Sequence, residues 1–457
     1  MRHSGLGQAG TRKFTAVNCG HASGPVWQLA LTALGMLLAV ACAGPGPTGP
    51  AATSAPVPGT LASPSPATSS TPTSLSTASP RPVPQPSVSP VVTSRPSEAP
   101  TPVPTPVPTS VALPCADLDT LNSVPPALAA RVQLDRWPWG AEAALSLTID
   151  EGMLAPYTIL RPEIEKYGWR ATFFVYTAQP EWEGSWEEIL KAHRQGHEIS
   201  NHTHNHPDLT GLSDAELSAE IQQGMRELRS RLGAELPLLS FAYPYELVDY
   251  RVWGIVRQYH RYARAGVNNV LGRTGNEPYN SGTAPVWGAL RALAPTQVVS
   301  MVDWNGWVDA TVAGKGWLIE ELHGVSDGAA GGGWEARSMA DFRLHFGHIA
   351  AYGPKLWVSP MGQVGAFIEA REKARVELTA WGPKGISLML HAPSDLAVAA
   401  EPLTLRLELP EGWNTPVQAW QGNQPVEWRQ LEPGLIRVAV RPDPSQPLCL
   451  RPQPQSP

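Results

Sequence analysis

Between Ala43 and Pro114 the chain sets 20 prolines among 72 residues, with no aromatic side chain and only Arg81, Arg95 and Glu98 charged. A segment of that composition has too little apolar surface to offset the entropy of ordering itself, so it cannot build a core. Folding is therefore left mainly to the 343 residues from Cys115 to Pro457, enough for one large domain with a small one, or for two of middling size. That body holds 29 basic and 39 acidic residues, a balance of −10. A surface so acidic argues against nucleic acid or an anionic membrane as partner and fits neutral polymers better.

Ahead of the proline segment, Val26–Ala41 is an uncharged apolar run preceded by Arg2, Arg12 and Lys13. This is the charge order of an export signal. The run falls short of the about 20 residues that span a bilayer. Ala39-Val40-Ala41-Cys42 resembles a bacterial lipoprotein signal, which implies lipidation of Cys42 after cleavage; an uncleaved anchor and an ordinary signal peptide are the alternatives. Residues 1–42 are then a leader and 43–114 a disordered linker. In extended polyproline geometry, at about 3.1 Å per residue, the linker would hold the body on the order of 100 to 200 Å from the membrane. The expected location is the outer face of a bacterial cell, or secretion, with the lipid anchor as the sole membrane contact. Of the four cysteines, Cys19 lies in the leader and Cys42 is the proposed lipid site, so an oxidising compartment leaves Cys115 and Cys449 as the expected disulfide, two unpaired thiols being the alternative.

Within the body, short apolar runs alternate with helical patterns. Ala143–Ile149, Ala171–Val175, Gly196–Ser200, Leu238–Ala242, Arg261–Val267, Gly316–Leu322 and Lys355–Ser359 read as strands. Helices are expected at Pro156–Tyr167, Ser185–Gln195, Asp214–Leu232, Thr296–Ala313 and Met339–Tyr352, the third started by a Ser213/Glu216 capping box and stopped by Gly233. Alternation at this spacing means a parallel α/β sheet or barrel, whose ligands gather at the C-terminal ends of strands. Asp150-Glu151, His202/His206, Tyr245 and His323 all stand just past a predicted strand.

An acidic pair followed by glycine, with two histidines at i and i+4, supplies one carboxylate and two imidazoles to a divalent cation and leaves a position open. The second carboxylate is then free to take a proton from an activated water, and a histidine across the site can give one to a leaving group. Those parts suit metal-assisted hydrolysis of an acyl bond. Alone, His202 and His206 would more often be loop or capping residues; joined to the acidic pair and His323 they read as ligands.

The order T-I-D-E-G (Thr148–Gly152), H-T-x-x-H (His202–His206), A-Y-P-Y (Ala242–Tyr245) and L-I-E-E-L-H-G (Leu318–Gly324) resembles the polysaccharide deacetylase family, the NodB-homology or carbohydrate esterase 4 group. The likeness covers about Ala143 to Glu372 and implies a distorted (β/α) barrel that removes N-acetyl or O-acetyl groups from an acetylated polysaccharide. It implies Asp150 as general base, Glu151, His202 and His206 as ligands of a divalent metal, zinc foremost, the Tyr245 backbone N–H as oxyanion donor, and His323 as general acid. Three positions depart from the family pattern. Ile149 replaces an aromatic residue, Glu151 replaces the usual aspartate ligand, and Ala242 stands where many members carry an arginine that holds the base. The partner of Asp150 is left open, and Asp303 and Asp309 are candidates for the acid that tunes His323.

The predicted domains are a NodB-like 115–372 and a small β-rich 373–457. In the latter, Val376–Ala380, Ile386–Leu390, Leu403–Leu409, Val417–Trp420 and Leu435–Val440 read as an antiparallel sandwich. Trp381, Trp413, Trp420 and Trp428 make it either a sugar-binding module or a structural cap. Trp182, Trp186, Trp304, Trp307 and Trp334 are divided between sugar stacking and core packing.

Overall fold

A computed structural model describes residues 115–453, apart from 181–183, 267–270, 272–276, 329–330, 398–400 and 414–416. The leader, Cys42, the linker and Trp182 lie outside the described residues. No described helix is long and apolar enough to cross a membrane.

The chain first makes β1 (Val132–Leu134) and then β2 (Ala143–Ile149), seven residues that are all buried. A strand covered on both faces has to read as a continuous apolar run, and that is what parallel sheets in α/β proteins require. Around β2 stand β3 (Thr172–Val175), β4 (Glu198–Asn201), β5 (Ser240–Ala242), β6 (Tyr262–Ala265), β7 (Leu290–Arg291), β8 (Trp317–Leu322) and β9 (Leu356–Val358). The order is β7-β6-β5-β4-β3-β2-β8, every pairing parallel, with β9 on the first half of β2. Leu293, just past β7, closes the ring against β8: its N–H donates to the Ile319 carbonyl at 3.0 Å, and its own carbonyl accepts from Glu321 N–H at 2.9 Å. The sheet is a barrel.

Helices α1 (Arg161–Lys166, entered through a wide π-turn), α2 (Trp186–Arg194), α3 (Asp214–Leu232), α4 (Tyr250–Val256), α5 (Met301–Gly314) and α6 (Met339–Ala351) belong to this barrel. The Ser213/Glu216 capping box forms as read, and Gly233 ends α3. Helix α7 (Met361–Lys373), which the hydrophobic pattern did not reveal, crosses the N-terminal end of the barrel. Met361 N–H donates to Thr172 Oγ1 and Gly362 N–H to Glu198 at the starts of β3 and β4, each at 2.8 Å. Contact is close enough that a Cβ on Gly365 would lie 2.7 Å from the Tyr262 ring. With one end plugged, the opposite rim is left for chemistry.

The other face of α7 enters the core of an antiparallel sandwich, with Phe367 and Ile368 in one cluster with Leu388, Leu405 and Val438. Its sheets are β1-β12-β16-β15 and β10-β11-β17-β13-β14, from β10 (Arg375–Gly382), β11 (Gly385–His391), β12 (Leu403–Glu408), β13 (Val417–Gln421), β14 (Gln424–Pro425), β15 (Trp428–Glu432), β16 (Leu435–Val440) and β17 (Leu448–Pro452). Because β1 pairs with β12, Val132 opposite Leu407, the chain visits the sandwich before it starts the barrel. The Cys115–Cys449 disulfide forms, with Cα atoms 5.8 Å apart, and ties the start of the described body to β17. Trp413 is buried, and Trp381, Trp420 and Trp428 are half-buried.

Candidate active site

The rim at the C-terminal ends of the strands is where the backbone departs most from its relaxed forms. Glu151 (φ 87°), Thr203 (72°), His206 (59°), Tyr245 (57°) and Glu246 (59°) all hold left-handed conformations. Such conformations cost of order 1–3 kcal/mol each and persist where surrounding contacts over-determine them. Asn201 supplies those contacts for the histidine loop. Its amide donates to the Ile221 carbonyl and to His260 Nε2, each at 3.0 Å, while its oxygen accepts from Thr203 N–H at 3.0 Å. His206 N–H donates to Thr203 Oγ1 at 3.0 Å, and Glu220 accepts the amides of His204 and Asn205 at 3.2 and 2.9 Å.

Held this way, His202 donates its Nδ1 proton to the Ala242 carbonyl at 2.8 Å, which leaves the Nε2 lone pair facing the rim. Nε2 of His206 lies 3.1 Å from Nε2 of His202 and 3.5 Å from Glu151 Oε1. One ligand atom from each of Glu151, His202 and His206 falls within 4.8 Å of the others. Burial pushes His202 down to about 3 and lowers His206 as well, so both imidazoles are neutral donors. Burial, then the charges of Asp150 and Glu321, push Glu151 up to about 8. A donor set of two neutral imidazoles and an acid reluctant to ionise is short of one positive charge, and the trio fits a divalent cation.

Asp150 sits beside this trio, its Oδ2 3.8 Å from His202 Nε2 and 3.9 Å from His323 Nε2. Burial would raise its pKa, but the Arg264 guanidinium, followed by His202 and His323, overcomes that and holds the carboxyl below its usual range. Arg264, fully buried on β6, pairs with both Asp150 and Glu321. It is the partner of Asp150 that the motifs left unnamed. Glu321 Oε1 lies 3.7 Å from His323 Nε2. Asp303 and Asp309 do other work: Asp303 caps α5 with Ser300 at 2.6 Å, and Asp309 accepts from His348 at 2.6 Å and from the Tyr352 hydroxyl at 2.7 Å. Asp150, Glu321 and His323 form a second trio with ligand spacing, but the Arg264 guanidinium already pairs with both of its carboxylates.

Tyr245 stands on the turn after β5, exposed, its ring 4.6 Å from that of His206. His323 packs its ring edge to face with Trp334, 4.6 Å between centroids. All six residues singled out on the rim open into one cavity of about 1270 Å³, whose far wall is the outer stripe of α5, with Val302, Gly306, Trp307 and Ala310. Trp334 and Trp307 line it, whereas Trp186 and Trp304 are in the core. His345 is also core, stacked on Trp304 at 4.0 Å and bonded to Glu320 at 2.9 Å.

Residues 140–263 match the polysaccharide deacetylase family. The deacetylase match ends at Ala263, one position before Arg264, and takes in Asp150, Glu151, His202, His206 and Tyr245. A gellan lyase of a Bacillus species is 22% identical over 337 residues, which is 67% of this chain and 13% of that protein. Chitin deacetylase 1 of Cryptococcus neoformans is 32% identical over 126 residues, 27% of this chain and 24% of that protein. The chain thus spans less than a quarter of the length of the curated relatives it matches. A family 4 carbohydrate esterase from Streptomyces lividans, solved with acetate, aligns over 49% of this chain and 95% of its own at 17% identity, with a TM-score of 0.34.

Proposed function

We propose that this protein is a metal-dependent hydrolase that removes acetyl groups from a cell-wall or extracellular polysaccharide, with N-deacetylation of amino sugars favoured over O-acetyl ester cleavage. The observation that carries the reading is the position of Asp150 and His323, one carboxylate and one imidazole 3.9 Å apart, beside the Glu151, His202 and His206 trio. A divalent cation held by that trio, zinc foremost, would polarise the acyl carbonyl and make a water acidic enough to attack. Asp150 stays ionised next to Arg264 and accepts the proton of the attacking water. The Tyr245 amide, on a turn whose own hydrogen bonds use the N–H groups of Glu246 and Leu247, donates to the developing oxyanion. His323 delivers a proton to the departing amine or alkoxide, and acetate is released.

Export with lipidation at Cys42, and a proline-rich tether that lets the site reach a polymer outside the membrane, belong to the same proposal. The decisive experiment is acetate release from a panel of N-acetylated and O-acetylated glycans, with chelator and with zinc restored. Release that chelator abolishes and zinc restores supports the reading. Absence of release from every member of the panel sinks it, and release from ester substrates alone moves the assignment to an O-acetyl esterase.

A further inference from the structure

Arg264 and Ala242 are register partners on the adjacent parallel strands β6 and β5. The carbonyl of Ala242 orients His202, while the side chain of its neighbour Arg264 passes over the Phe174 ring, 5.3 Å from its centroid, to reach Asp150 and Glu321 together. A guanidinium buried to this degree is tolerable only where carboxylates surround it, and its planar fork can serve two of them at once. Those two carboxylates lie on opposite sides of the reaction: Asp150 is the proposed base, and Glu321 stands 3.7 Å from His323, the proposed acid. Glu246 comes in from the turn after β5 over Gly266, where a Cβ would strike its carboxyl group.

We propose that Arg264 is a positioning residue that sets Asp150 and Glu321 in one rigid frame, so that the proposed base and the carboxylate beside the proposed acid keep their places through a single cation. This rests on the hydrolase reading for its consequence on rate, but the frame itself is a statement about geometry. It also excludes the competing use of Asp150, Glu321 and His323 as a second metal site, because the place of the cation is taken.

The test uses Arg264→Lys, which keeps a buried positive charge and a foldable core but replaces the fork with a point charge. In the zinc-loaded variant kcat should fall about 10- to 100-fold, the range for outer-shell partners of metal ligands, with KM little changed and one zinc per chain retained. Arg264→Ala should fall further and recover part of its rate when guanidinium ion is added. Crystal structures of wild type and R264K should show the Asp150 and Glu321 carboxylates displaced in the variant. Carboxylates that stay in place overturn the proposal whatever the rate does, and displaced carboxylates with unaltered kcat overturn it too. Two zinc ions per chain in the wild type, the second on Asp150 and Glu321, also overturn it. If the wild type releases no acetate from any glycan, the hydrolase reading fails by itself, and the crystal comparison still decides the role of Arg264.

Discussion

Ala242 accepts the Nδ1 proton of His202 through its backbone carbonyl, 2.8 Å away, so the tautomer of this histidine is fixed by main chain that no side-chain substitution removes. The metal-binding prediction follows from it. His202→Gln, His206→Gln and Glu151→Gln should each cut zinc affinity by at least about 10-fold, because each removes one of three protein ligands while leaving the other two in place. Isothermal titration of the metal-free proteins with zinc checks this. Retention of wild-type affinity in all three would show that the trio does not bind the ion.

Acid and base are separable by substitution. Asp150→Asn and His323→Ala should keep the fold and the zinc content and lose on the order of 10²- to 10⁴-fold in kcat, the usual contribution of a positioned proton donor or acceptor. Steady-state acetate release with metal analysis of the same samples measures it. Turnover close to wild type in either variant would refute the role given to that residue.

Gly224 lies on α3 where the helix meets the histidine loop, and a Cβ there would collide with the Asn201 side chain and lie 2.9 Å from the Thr203 carbonyl. Gly224→Ala should therefore cost about 1–3 kcal/mol of stability, the range for overpacking, in spite of the better helix propensity of alanine. Zinc affinity should drop with it, since Asn201 and Thr203 set the loop that carries both ligands. Chemical denaturation and zinc titration of G224A give the two numbers.

His260 donates Nδ1–H to the Leu238 carbonyl at 3.1 Å and accepts from Asn201 at 3.0 Å, a pattern that only the neutral ring satisfies. Burial accordingly pushes its pKa from 6.5 down to about 4. Between those values the unfolded chain binds a proton that the folded chain refuses, so stability falls as the pH drops from about 6.5 to about 4 and levels off below. A shift of that size corresponds to about 3 kcal/mol at most. Replacing His260 by Gln should flatten the dependence of Tm on pH in that window, and an unchanged slope would contradict the assignment.

Much of the barrel could be read in advance because its strands are buried on both faces and announce themselves as unbroken apolar runs; β2 and β8 start and stop within a residue of expectation. The polar groups after strand ends were legible for the same reason, since each interrupts such a run. Helix α7 was not, because it is buried nearly all round between barrel and sandwich and shows no amphipathic period. β7 has two residues, too few for any pattern, yet it carries the chain to Leu293 and closure. Arg264 leaves a trace in the sequence: in Tyr262-Ala263-Arg264-Ala265 it is a lone cation in an otherwise apolar strand, and Glu320-Glu321 is an acidic pair in another. Neighbours along a strand face opposite ways. Glu320 therefore turns to Trp304 and His345, and Glu321 is left needing a cation that sequence spacing alone does not point to.

The disulfide between Cys115 and Cys449 makes the polypeptide between them a closed circle. A protease that nicks the rim once, for instance among the glycines after His323, opens the circle but frees nothing: both pieces migrate as one molecule until a reductant is added. The sulfur bridge lies at the sandwich end of the body, away from the cavity, so damage at the working edge and loss of the molecule become separate events.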